Sequence, residues 1–294
     1  MTASFELLNS LVLEVVDAFR ADSIDMRPPH KSGSLACKDL HAQRRFLGAW
    51  SKAPILDAQS EAVRYLCSAE DHLRGAAHLL LANGVILSPI SLGRTVINAS
   101  ATASWLVHPD VTVEERLRRS MNFRIRALEE QLQYVDSSKS DHYRVKIEYE
   151  LGQIEALSVQ LGMNFRTSKK KRGRRYIDEF IPSDTELMRV MFADLDEAET
   201  AEFVQRFYSA AVHANANSFA IGTVVSTSSS REGASTAALT LEVGEAARYL
   251  QTMTYAFALG YEAICSYFGH ANSPSVRKAW YAMSVLSQIA VSGT

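Results

Sequence analysis

Apolar residues recur at steps of three and four along almost the whole chain. In "FELLNSLVLEVVDAF" they put Phe5, Leu8, Leu11, Val12, Val15 and Phe19 on one stripe, the pattern of a helix with one buried face. "DSIDMRPPHKSGS" breaks the period with Pro28, Pro29 and Gly33 and reads as a loop or arm. Residues 38–50 read as a short helix. A long helix is predicted from Asp57 to Leu81, with Asn83-Gly84 as its C-cap. Residues 90–107 form a helix rich in Ala and Ser, a composition that suits close packing on a neighbour. Thr112 and Glu115 make a capping box for a helix that runs to about Val135. After the turn "DSSKSD" a further helix from Asp141 to Leu161 returns as the second half of a helical hairpin.

The pattern then loosens. Residues 163–181 look irregular and contain "SKKKRGRR". Ser183 and Glu186 form a second capping box, in "PSDTELM", behind Pro182. A helix is predicted over about 197–222. "STSSSREGAST" reads as a polar loop, followed by helices over 238–269 and 274–289 that either complete the bundle or form a dimer seam. "GTVVSTSS" is the one β-like run and is assigned to a helix end. The expectation is therefore an all-α, multi-helix bundle of about eight to ten helices. Residues 1–50 supply an N-terminal helix and an arm packing on the core, and residues 51–294 the bundle.

Composition narrows the function. The chain has 294 residues, 47% of them apolar, enough to bury a sizeable core. Its net charge of -2 means that any anion-binding role must come from a local patch. Three scattered cysteines without a Cys-x-x-Cys argue against a disulfide framework or a zinc site and suit a reducing cytoplasm. The N-terminal stretch lacks the form of a signal peptide, and no apolar run reaches membrane-span length, so the reading is a cytoplasmic protein with no membrane partner.

Most catalytic signatures are missing. There is no Glu-x-x-His or His-Glu-x-x-His, so no metal site and no cofactor is expected. Nucleotide-binding glycine loops and the Gly-x-Ser-x-Gly elbow are absent too. Two features remain. Lys169, Lys170, Lys171, Arg172, Arg174 and Arg175 put six cations into seven residues, either a solvated loop or a phosphate-backbone contact. In "FVQRFYSAAVHANANSFAIG", Arg206, Ser209 and His213 share one helical face, with Phe203, Phe207, Ala210 and Ala211 on a stripe that can face the core. On the Ala-rich helix Arg94 and Asn98 lie one turn apart. With Glu70 or Asp71 of the preceding helix they make either a structural pair or a second polar group of the same cleft.

These motifs, in this order, resemble the HEPN superfamily of helical proteins. Arg206, six residues and His213 resemble its Arg-x4–6-His motif. "RFYSAAVHA" is similar to a Tyr-x-x-Leu-Ser-x-x-x-His helix of HEPN-like bacterial proteins, matched at Ser209 and His213, with Gln205 and Tyr208 in place of the Tyr and Leu. "LGRTVINASATASWLVHPDVTVEERLRR" resembles an upstream region of the same proteins at Arg94, Trp105, Pro109, Glu115 and Arg116, with Asn98 replacing a Glu. "PSDTELM" resembles a segment that precedes the His helix. Phe207 stands where active members carry a polar residue. The resemblance spans about residues 60–225. It implies a helical bundle, often dimeric, and in active members metal-independent RNA cleavage of a toxin or phage-defence type. His213 would be the general acid or base, Arg206 would stabilise charge on the phosphate, and Ser209 would orient either one. RNA, a second copy and an antitoxin or other protein are then the candidate partners. The alternatives are a non-catalytic ligand- or partner-binding module, or an enzyme using the same face on an unrelated substrate.

Overall fold

A computed structural model of the chain describes residues 4–23, 26–28, 30–46, 53–82, 87–134, 141–169, 173–193, 198–212, 223–227 and 236–292. Among them are ten α-helices: α1 (Phe5–Ser23), α2 (Leu35–Ala42), α3 (Pro54–Leu79), α4 (Leu87–Leu106), α5 (Val113–Tyr134), α6 (Asp141–Gln160), α7 (Asp184–Met191), α8 (Ala198–Val212), α9 (Val243–Phe268) and α10 (Pro274–Ser292). The all-α expectation holds. Two short antiparallel hairpins add to it: β1 (Phe165–Ser168) with β2 (Arg174–Ile177), and β3 (Thr223–Thr227) with β4 (Thr236–Thr240). The expected Asn83-Gly84 cap lies outside the described residues.

Most of the helices share one large core. α9 is its axis: Ala256, Phe257 and Ala258 are consecutive and all buried, so neighbours cover most of its circumference and leave a stripe that holds the exposed Arg248 and Ser266. α1, α3, α4 and α10 pack around it. The long C-terminal helices therefore complete the bundle. The Ala-rich α4 lies between α3 and α9, as its composition suggested. Gly260 on α9 shows how close that approach is, because an added Cβ would stand 3.1 Å from the Ser100 carbonyl oxygen. α1 buries Leu8, Leu11, Val12, Val15 and Phe19, the stripe visible in the sequence. The arm is docked as well: Lys31 Nζ donates to the Gly269 carbonyl at 2.9 Å, where α9 ends in a left-handed glycine.

A smaller second core lies between α5, α6 and the first hairpin. Leu117, Met121, Ile125 and Leu128 of α5 meet Ile147, Leu151, Ile154 and Leu157 of α6, with Ile177 of β2 beneath them. Thr112 caps α5 by accepting from the Glu115 amide at 3.2 Å. Glu115 departs from the expected capping box and turns its carboxylate to Arg118 and Arg119. The Ser183–Glu186 box on α7 forms in full.

Three assignments are corrected. Residues 163–181 are not irregular, because they contain the β1–β2 hairpin, paired from Phe165↔Ile177 to Ser168↔Arg174. Its register depends on a distant side chain. Asn122 of α5 accepts from the Ile177 amide at 2.8 Å and donates to the Ile177 and Glu179 carbonyls. Within "GTVVSTSS", Thr223–Thr227 is a strand and not a helix end, as a run of β-branched residues favours. The last long helix starts at Val243 because Thr236–Thr240 is taken into that second hairpin.

Candidate functional site

α8 presents the face singled out in the sequence. Its buried stripe is Ala201, Val204 and Tyr208, which corrects the expected one. Phe203 is 69% exposed and stacks on Phe207, whose ring in turn lies on Tyr249. Tyr208 sets the position of α8. Its hydroxyl donates to the Tyr249 carbonyl at 2.8 Å, and one edge of its ring stands against Gly93 of α4, where an added Cβ would be 2.3 Å from Cε1. No other residue fits Gly93 without moving that ring. Burial raises the Tyr208 hydroxyl well above its ordinary pKa, so it stays a neutral donor.

Arg206 points outward with its side chain 78% exposed and donates to Glu202 one turn earlier at 2.6 Å. Glu202 also lies 3.9 Å from Arg189 of α7. Ser209 is half-buried on the same helix. His213 lies outside the described residues.

Beside α8 a cleft of about 690 Å³ opens between α5, β2 and the segment leading into α7. Arg126, Arg174 and Arg175 supply its cations and Glu129, Asp184 and Glu186 its anions, with Gln205 of α8 at one edge. Tyr176 and Phe180 stack in its wall with centroids 3.9 Å apart. A neighbouring hollow of about 340 Å³ lies between α3, α4, α5 and α7, lined by Tyr65, Phe123, Thr95 and Asn98. Arg126 and Asp184 border both hollows, so the two lie side by side as the halves of a groove divided by these side chains. Asn98 donates to Asp184 at 2.8 Å. Two buried acceptors, Asn98 Oδ1 and Gln205 Oε1, make no hydrogen bond among the described residues.

The basic run divides. Lys169 and Arg174 are exposed on the hairpin, whereas Lys170, Lys171 and Arg172 lie outside the described residues. Arg175 is bound within the protein. Its Nε donates to Glu129 at 3.1 Å and its Nη1 to Glu148 at 2.8 Å. Burial works against its charge, but hydrogen bonds to Glu148 and Glu129 outweigh that and raise its pKa. Arg94 is half-buried on α4, and Asp71 is exposed on α3. Neither is among the described residues lining the groove. Glu70 beside Asp71 is structural: buried, it binds Arg20 at 2.9 Å and Arg74 at 3.0 Å. Among the described residues no three His, Cys, Asp or Glu side chains gather as metal ligands, and no helix is long and apolar enough to cross a membrane.

The sequence reading missed the groove's acids, its aromatic stack and a buried polar network under α2. There Asp39 receives Arg116 at 3.0 Å and the Tyr267 hydroxyl at 2.8 Å. Gln59 donates to the same hydroxyl at 3.0 Å, and its Oε1 lies 2.8 Å from His30 Nε2. Burial raises the Asp39 pKa, with Arg116 and Tyr267 opposing it. These partners stand 77 and 228 positions apart, so no local pattern announces them. No protein-family model, no curated protein and no solved structure matches this chain.

Proposed function

We propose that the chain is a HEPN-like helical protein that holds single-stranded RNA along this groove and cleaves it without a metal ion. One observation carries the reading. The segments that bear the resemblance, on α4, α7 and α8, pack against one another, and the groove they border has the basic hairpin as its other wall. Arg174 and the stacked Tyr176 offer a phosphate contact and a base platform on that wall. Exposed Arg206, next to Gln205 at the groove's edge, is the group for the reacting phosphate. In this chemistry His213 takes the proton of a ribose 2′-hydroxyl as its oxygen attacks phosphorus. The 5′-oxygen leaves and is protonated, giving a 2′,3′-cyclic phosphate and a 5′-hydroxyl. The test is incubation of purified protein with structured and unstructured RNAs in chelator. The reading requires cyclic-phosphate products that vanish in His213→Ala and Arg206→Ala while the helical circular dichroism is kept. RNAs left intact at high protein concentration refute it. A toxin or defence role, with an antitoxin as partner, would follow as growth arrest on expression that His213→Ala relieves.

A second reading, non-catalytic binding of a small polar ligand, is favoured by the balanced charges of the groove and its two unpartnered acceptors. Such a ligand would be neutral or zwitterionic and would draw the buried Asn98 and Gln205 acceptors towards the groove to donate hydrogen bonds to them. A rise in melting temperature with a metabolite or nucleotide, lost in Asn98→Ala, supports it. No shift across such panels counts against it.

A further inference from the structure

α6 is apolar on two opposite sides. Ile147, Leu151, Ile154 and Leu157 are buried in the small core. On the far side Val145, Tyr149, Gly152, Ala156 and Val159 are all exposed, with Val145, Tyr149 and Val159 at 66%, 68% and 66%. They follow one another at steps of four, three, four and three, the spacing of a two-helix seam. At about 100° per residue they fall within an arc of about 80°. Gly152 strengthens the case. A Cβ added there would meet nothing within 4 Å, so the chain's own packing gives no reason for a residue that weakens a helix interior. At a seam, a glycine leaves room for a facing tyrosine.

We infer that this face docks against the same helix of a second copy of the chain, with the two helices parallel. Charge sets the direction. Asp141, Glu148 and Glu155 flank one side of the seam, and Lys146, Gln153 and Gln160 the other. In a parallel pair each flanking residue of the first row faces the residue five positions further along the other helix. Asp141 then meets the partner's Lys146, Glu148 meets the partner's Gln153, and Glu155 meets the partner's Gln160. Every acid faces a cation or an amide. In an antiparallel pair the acidic row would face itself, with Asp141 opposite the partner's Glu155. A 20-residue helix is about 30 Å long. A single helix pair of that length is a narrow interface, so the dimer forms with rising concentration and separates on dilution. The seam also touches the groove, because Glu148 holds Arg175 on the groove wall. The inference does not depend on RNA cleavage.

Sedimentation of the full chain from micromolar to millimolar concentration tests it. A monomer–dimer equilibrium is expected. Tyr149→Glu and Val159→Glu, both at exposed sites and so harmless to the monomer's circular dichroism, should each raise the dimer dissociation constant about tenfold or more. Lys146→Glu should weaken the dimer roughly two- to fivefold, and adding Asp141→Lys should restore it. A chain that stays monomeric throughout overturns the proposal, and so does a dimer indifferent to both glutamates. A dimer strengthened by Asp141→Lys alone overturns the parallel order, since that change relieves only the antiparallel pairing.

Discussion

Around Phe257 the large core closes on apolar contact. Phe257 packs edge-on to Phe19, and Tyr261 also meets Phe19 at 5.5 Å. Around Leu117 the small core rests mainly on two helices and a four-residue strand pair, with Phe46 and Ile55 at its border, and ion pairs rim it. Arg124 holds Glu150 across α5 and α6, Arg175 holds Glu129 and Glu148, and Arg118 binds Glu115 and the Ile177 carbonyl. The lesson is one of area. Apolar burial scales with the surface removed from water, so a many-helix core can take most of its geometry from shape, with a few directional contacts such as the Tyr261 hydroxyl on Asp22 at 2.6 Å. A two-helix layer cannot, and uses directional contacts to set register. The groove opens along the border between the two, where α5 and β2 face α7 and α8.

The joint between the cores is the place to break this contrast. Arg116→Ala leaves the buried Asp39 carboxylate without its cation and should cost about 3–5 kcal/mol, read as a lowered urea midpoint for the whole chain. Asn122→Ala leaves the Ile177 amide without its side-chain acceptor, while Arg118 still holds the carbonyl, and should cost about 1–3 kcal/mol. Hydrogen exchange should then speed up across residues 165–177 while α9 stays protected. Gly93→Ala drives a methyl into the Tyr208 ring at a cost of about 1–3 kcal/mol, this time loosening α8 and sparing the hairpin.

Acid sharpens the comparison further. Burial alone would raise the Glu115 pKa, but hydrogen bonds and charge from Arg118 and Arg119 win and lower it. Its contribution is therefore complete above its ordinary value near 4.5 and is lost as pH falls through the depressed one. Glu61, between α3 and α5, has the opposite sign, because burial raises its pKa against the Ser120 hydrogen bond. Its ionisation works against folding as pH rises. Exchange protection measured from pH 6 down to pH 3 should fade first around the amino-terminal turns of α5 and β2. Simultaneous loss in α9 would break the contrast. The smallest effect on stability is at Arg206→Ala, whose exposed pair with Glu202 should be worth less than about 0.5 kcal/mol. An RNA-cleavage assay on that variant therefore tests the proposed function separately from the fold.

Helix existence was legible almost everywhere, because a 3.6-residue apolar period is a local property. The stripe on α1, the Ala-rich α4 and the Ser183–Glu186 box all stand where the pattern put them. The hairpin at 165–177 was not legible. Its strands are short and basic, and a side chain 55 positions away sets their register. For the site, the sequence singled out Arg174, Arg175 and Asn98, which do line the groove, together with Arg94 and Asp71, which are not among its lining residues. It gave no sign of Asp184, Glu129 or the Tyr176–Phe180 stack as groove walls.

The division has a physical cause. The order of apolar and polar residues determined that this chain is helical, where most helices start, and, α8 apart, which face most of them bury, since those choices depend on neighbours three and four positions away. Only the tertiary structure decided that α6 has a second, exposed apolar face, that Gly93 makes room for Tyr208, and that hairpin, α7 and α8 border one groove. Those facts depend on which surfaces meet across tens or hundreds of residues, and no local period records that.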